Sequence, residues 1–208
     1  MKEKSKLATE AQRTQRKART RILCCSVFSV PLWLIWFFLP LTAEIVDRIA
    51  VVVGKQVVKD SDIDLDIRAT AFLNGQQPDF SVASRKQAAS RLIDQALIRD
   101  QIQAGEYPIA PLSEADGLIA SFREDRYPSD AALARALKEY GITPDELRQR
   151  LLWQLTVLRF IDARFRPIAA ASTTDQQEQG RRVTELLNEW LDQARKDARV
   201  VFLEKSLQ

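Results

Sequence analysis

The chain has 208 residues, of which 46% are hydrophobic and 28% are charged, a composition typical of a folded protein. It contains no His, which excludes the common Ser-His and Cys-His catalytic arrangements and disfavours a metal site. The net charge of +3 is unevenly distributed, because residues 1–21 hold eight basic and two acidic residues and the remainder holds 23 basic and 26 acidic ones. A mildly acidic body argues against nucleic-acid binding.

The basic tail leads directly into an apolar segment, residues 22–43, that contains no charged side chain. This order is typical of a secretory signal peptide, and a small residue before Glu44 offers an imperfect cleavage site. The segment is also long enough to span a bilayer as an uncleaved anchor. Both outcomes predict that residues 44–208 lie outside the cytoplasm, either soluble in a periplasm or held at the inner membrane. Both cysteines fall within the apolar segment, so the exported part exposes no thiol to an oxidising compartment.

Two parts of the sequence predict β-strands. Residues 45–53 are rich in β-branched side chains, and a Gly54-Lys55 turn leads into a second extended segment at 56–59. A short β-like run at 199–203 closes the chain. Because an isolated terminal strand needs a partner, we expect it to pair with the strands at 45–59. The two ends of the exported part would then meet in a small sheet.

Helical periodicity dominates the sequence between these strands. The predicted helices cover 60–74, 83–104, a segment capped by Ser113 and ending at 122, 131–140, 143 to about 165, and a final segment that includes 183–194. We expect the helix that starts at Thr143 to end before Pro167, and we expect the small, polar sequence 168–180 to form a linker. The predicted fold class is therefore mainly α with a small β-sheet.

The helix beginning at Thr143 has too many apolar residues for one narrow stripe. Such a helix is either central to a core or presents an apolar surface to another molecule. Both interpretations remain open from the sequence. If a groove for an apolar peptide exists, the first candidates to line it are Trp153, Val157 and Phe160.

An acidic cluster at 60, 62, 64 and 66 raises the possibility of a calcium site. The spacing lacks the Gly and the distal Glu of an EF-hand loop, so capping and a solvated helix start explain the cluster better. Glu146 and Arg150 are four residues apart, which predicts a surface ion pair. The sequence therefore predicts no metal, no cofactor and no catalytic residue.

Four motifs occur in a fixed order. Residues 46–53 (VDRIAVVV) precede a Gly turn and a Ser-Asp-Ile sequence at 61–63, and residues 92–98 read LIDQALI. Residues 141–148 read GITPDELR, and Trp-Leu at 190–191 precedes Ala-Arg-Val at 198–200. This set resembles the non-catalytic part of the SurA-type periplasmic chaperones, relatives of the parvulin prolyl isomerases. The resemblance implies a helical N-terminal chaperone domain completed by the C-terminal helix and strand.

The chain departs from that family at one place. Family members usually insert one or two parvulin domains before the C-terminal helix, whereas here only residues 167–180 occupy that position. The implied organisation is a signal or anchor at 1–43, a chaperone domain at 44–166, a linker at 167–180, and a completing helix and strand at 181–208. The resemblance thus implies a chaperone core without isomerase activity.

Two functions remain open from the sequence. The first is an ATP-independent chaperone that binds unfolded or nascent exported polypeptides, including outer-membrane proteins, through an apolar groove. The second is an interaction or assembly protein, tethered to the membrane through residues 22–43 if these are uncleaved, with one dedicated protein partner. The sequence predicts no nucleic-acid partner and does not indicate an oligomeric state.

Overall fold

The computed structural model describes residues 47–207, which are mainly α-helical with a small antiparallel β-sheet, as predicted. In chain order the elements of this part are β1 (Ile49–Val53), β2 (Gln56–Lys59), α1 (Asp60–Asn74), α2 (Val82–Ala104), α3 (Leu112–Arg126), α4 (Asp130–Tyr140), α5 (Pro144–Ser172), α6 (Gln176–Asp197), β3 (Val200–Phe202) and a single 3-10 turn at Lys205–Leu207. The predicted signal or anchor and both cysteines lie outside the described residues. Within residues 47–207, no helix is both long enough and apolar enough to cross a membrane.

The sheet joins the two ends of the described chain. The strand order is β2-β1-β3, and both pairings are antiparallel. A tight turn at Gly54, whose φ is 57°, connects β1 to β2; a left-handed backbone of this kind favours glycine. Val52 pairs with Val57 on one side and with Val201 on the other. The predicted return of the C-terminal strand to the N-terminal hairpin is therefore confirmed.

Capping residues set most helix ends where the sequence predicts them. The Ser81 and Ser129 hydroxyls accept backbone N–H bonds at the starts of α2 and α4. Thr143 and Glu146 form a reciprocal capping box at the start of α5. The end of α4 is closed by Gly141 in a left-handed conformation. Helix α3 differs at both ends, since it already begins at Leu112 and extends to Arg126, which places the predicted cap Ser113 inside the helix.

Helix α5 continues through Pro167 and ends only at Ser172, so the predicted end of this helix was wrong. The expected linker at 167–180 is correspondingly shortened, because α6 begins at Gln176. A proline inside a helix removes a backbone hydrogen bond at a cost of about 3 kcal/mol. Packing offsets that cost, since Phe165 and Ala169 on either side of the proline are both buried.

The interior consists of three apolar clusters. The first packs the inner face of the sheet against α1 and α2, with Val51, Val53 and Ile63 fully buried. The second surrounds Phe72 where α1 meets α3, α4 and the start of α5. The third joins the ends of α2 and α5 to the half-buried face of α6 through Phe160. The returning helix α6 thus completes the core.

Candidate functional site

A groove runs between α2 and α5 and consists of two adjoining depressions. The first has a volume of about 400 Å³ and lies among α1, α2, the start of α5 and the edge of β2. The second has a volume of about 370 Å³ and continues between α2 and α5. Three side chains border both depressions: Gln95, Arg150 and Trp153. We call the two depressions together the α2–α5 groove.

Apolar side chains follow the groove along its length. Leu65 of α1 and Leu92 of α2 line the first depression, and both are only partly buried. Val157 and Leu158 of α5 line the second, where the Leu158 side chain remains 58% exposed. A surface of this kind gains free energy when an apolar ligand covers it.

Trp153 stands where the two depressions meet. The guanidinium of Arg99 lies 4.9 Å from the centroid of its ring, within the range of a cation–π interaction. The indole N–H is buried and has no hydrogen-bond acceptor among the described residues. Because this nitrogen is enclosed by the protein, the ring of Trp153 is the part that a ligand in the groove would contact.

A buried carboxylate ties together the helices around the first depression. Asp66 of α1, whose side chain is 1% exposed, accepts two hydrogen bonds from Arg91 of α2, at 2.6 and 3.0 Å. It also accepts one from Arg150 of α5, which in turn donates to the Thr70 hydroxyl. The predicted surface pair between Glu146 and Arg150 was therefore wrong, because Arg150 binds a carboxylate 84 residues away in the sequence.

The remaining acidic residues of α1 also have structural roles. The Asp62 carboxylate caps the helix by accepting the Lys59 backbone N–H at 2.9 Å, as predicted. Asp60 and Asp64 are not simply solvated, because both form ion pairs with Arg85 of α2. Burial raises the pKa of Asp60 above its ordinary value, and the neighbouring Glu204 carboxylate raises it further.

Asp94 lines the second depression from α2 and is held by α6. Arg195 donates two parallel hydrogen bonds to its carboxylate, each 2.7 Å long. Burial raises the pKa of Asp94, and the interaction with Arg195 opposes this rise only in part. This ion pair attaches the returning helix to one wall of the groove.

The structure separates the three predicted groove residues. Trp153 and Val157 line the groove, whereas Phe160 is fully buried in the third core cluster and does not. Phe160 instead packs edge-on against Tyr107, with ring centroids 4.9 Å apart. Leu158 was not singled out from the sequence, although it is more exposed than any of the three. Leu158 could have been predicted to line the groove because it follows Val157 on a helix that is apolar on several sides.

The groove offers apolar surfaces and side chains that are engaged in ion pairs and caps. Its charged side chains include Asp66 and Arg150, which form an ion pair, and Glu146, whose carboxylate accepts the Thr143 backbone N–H at the start of α5. Among residues 47–207, no three His, Cys, Asp or Glu side chains are grouped so that they could hold a metal ion. No known family matches. The sequence fits no family model and resembles no curated protein closely enough to count as a match.

Proposed function

We propose that this chain is an exported, ATP-independent chaperone-like protein that binds unfolded polypeptides, including outer-membrane proteins, without prolyl isomerase activity. The observation that carries the proposal is the α2–α5 groove, in which exposed Leu158 and partly exposed Val157 and Trp153 adjoin one another. The basic tail followed by an apolar segment supports export, with residues 22–43 removed as a signal or retained as an inner-membrane anchor.

The size and chemistry of the groove favour weak, sequence-tolerant binding. Each depression is large enough for a few side chains of a client and is open to solvent. Burial of one Leu-sized or Phe-sized side chain contributes about 1.5–3 kcal/mol, and association itself costs several kcal/mol. Two occupied depressions would therefore do little more than offset the cost of association, so a client would bind weakly and release readily.

The proposal is tested with the full chain in lipid nanodiscs and several unrelated unfolded clients, one of them an outer-membrane β-barrel protein. Light scattering follows client aggregation, and we expect suppression of several clients without added nucleotide. Protection of none would contradict the proposal. A complex with a single protein at fixed stoichiometry, without general protection, would instead support a dedicated assembly partner. Acceleration of prolyl cis/trans exchange would contradict the absence of isomerase activity.

A further inference from the structure

The outward face of the sheet carries a row of valines. Val57, Val52 and Val201 lie side by side across β2, β1 and β3, because Val52 pairs with both of the others. Val57 is 49% exposed and Val201 is 39% exposed, and Ile49 beside them is 44% exposed. Val51, Val53 and Val58 face the core, and a bulge between Ile49 and Val51 interrupts the strict alternation of β1, so that Ile49 is exposed although Val51 is buried. We call Ile49, Val52, Val57 and Val201 the outer sheet face.

Basic side chains surround this apolar row. Four exposed cationic residues lie at the ends and edges of the three strands: Arg48, Lys55, Lys59 and Arg199. Two carboxylates lie near Lys59: that of Asp47 is 3.8 Å from its ammonium, and that of Asp62 accepts its backbone N–H at 2.9 Å. Glu204 instead faces Arg85 of α2, so it leaves the positive character of the outer sheet face intact.

The position of this face in the sequence indicates what covers it. The apolar segment ends at residue 43, and only residues 44–48 precede β1. Five residues span at most about 18 Å even when fully extended. A chain anchored through residues 22–43 would therefore hold its sheet close to the bilayer surface.

We propose that the outer sheet face rests on a membrane surface that contains anionic lipids. The basic rim would contact the headgroups, and the valine row would enter the interface between headgroups and acyl chains. This inference rests on the anchored form of the proposed function. Its surface is distinct from most of the α2–α5 groove, with which it shares Val57 at the edge of β2.

The test uses the full chain with Cys24→Ser and Cys25→Ser, carrying a single environment-sensitive fluorophore at Val201→Cys. The protein is reconstituted into vesicles of equal parts phosphatidylcholine and phosphatidylglycerol that contain nitroxide-headgroup lipid. A probe at Leu118→Cys on α3 is the matched control, because Leu118 is exposed to a similar degree as Val201, at 43% against 39%. We expect clear quenching at position 201 and none at position 118. We also expect a fall of about fivefold in the equilibrium constant for contact of the sheet with the surface when Lys55→Gln or Arg199→Gln removes one positive charge.

Several results would overturn the inference. Equal quenching at both positions would show that the outer sheet face is no closer to the membrane than α3 is. Quenching that persists unchanged in phosphatidylcholine alone would show that the face does not recognise an anionic surface. Dimerisation that buries the position 201 probe without lipid would assign the face to a second copy of the chain. If the probe at position 201 is not quenched but the protein still protects clients, this inference is wrong and the chaperone proposal is unaffected. If alkaline carbonate extracts the chain from the vesicles, residues 22–43 do not anchor it, and this inference fails because it rests on the anchored form.

Discussion

The guanidinium of Arg99 lies over the indole ring of Trp153, 4.9 Å from its centroid, so α2 and α5 contact each other across the groove through a cation–π pair. Trp153 is only partly buried, while Phe160 two turns later on α5 is fully buried. One helix thus contributes both to the groove and to the core.

This difference predicts unequal effects of two truncations on stability. Phe160→Ala should lower the free energy of unfolding by about 3–5 kcal/mol, since it empties a closed core position. Trp153→Ala should lower it by about 2 kcal/mol, because part of that side chain already contacts solvent. Urea unfolding followed by circular dichroism measures both. An equal loss for the two variants would place Trp153 in the core and contradict its position in the groove.

The buried carboxylate of Asp66 makes a second prediction. Asp66→Asn should destabilise the fold by about 3 kcal/mol, because Arg91 and Arg150 would keep their charges without an ionised partner. Asp162→Asn is the matched control, since Asp162 forms an exposed ion pair with Arg166. That control should change stability by at most about 1 kcal/mol. Chemical denaturation of both variants side by side decides whether the Asp66 network holds α1, α2 and α5 together.

Replacement of Pro167 should stabilise the protein, whereas the substitutions above should destabilise it. Pro167→Ala should raise the free energy of unfolding, by up to about 3 kcal/mol, because alanine restores a backbone donor within α5. Pro144→Ala is the control, and it should bring no gain because proline suits the first position of a helix. Thermal melts of the two variants are sufficient. If Pro167→Ala also brings no gain, α5 ends before Pro167 in solution.

The start of α2 predicts a dependence of stability on pH. Asp79 accepts hydrogen bonds from the Ser84 hydroxyl and from the Ser81 backbone N–H and hydroxyl, and these bonds hold its pKa below the ordinary value. The stability contributed by the ionised carboxylate is therefore present above the pKa of the unfolded state and is lost as the pH falls through the lower pKa of the folded state. The difference in melting temperature between the wild-type chain and Asp79→Asn should shrink over that acidic range. A difference that stays constant with pH would exclude this role.

Local features of the sequence were sufficient to predict much of the fold. Thr143 and Glu146 specify the start of α5 through contacts three residues apart, and a terminal β-like run has one evident partner in the hairpin at 49–59. Contacts between distant elements were not predictable in the same way. The pairing of Arg150 with Asp66 depends on how α1 and α5 pack, so the nearby Glu146 appeared to be the better partner. The continuation of α5 past Pro167 likewise depends on burial of Ala169.

The candidate site was predictable only in part for the same reason. The apolar breadth of α5 indicated that Trp153, Val157 and Phe160 form either core or groove, and periodicity alone does not distinguish the two. The partition depends on the position of α2 and on α6, which packs over Phe160 through Trp190. Leu158 lines the groove beside Val157 and remains exposed.

The central claim, that unfolded polypeptides bind in the α2–α5 groove, is tested most directly by client protection with Leu158→Asp and Ile168→Asp. Both side chains lie on α5 and are similarly exposed, at 58% and 53%, but only Leu158 is among the residues that line the groove. Neither substitution removes core packing, so both variants should melt close to the wild-type temperature. We predict that Leu158→Asp loses most of the suppression of client aggregation, while Ile168→Asp retains it. Equal protection by the two variants would contradict binding in the groove.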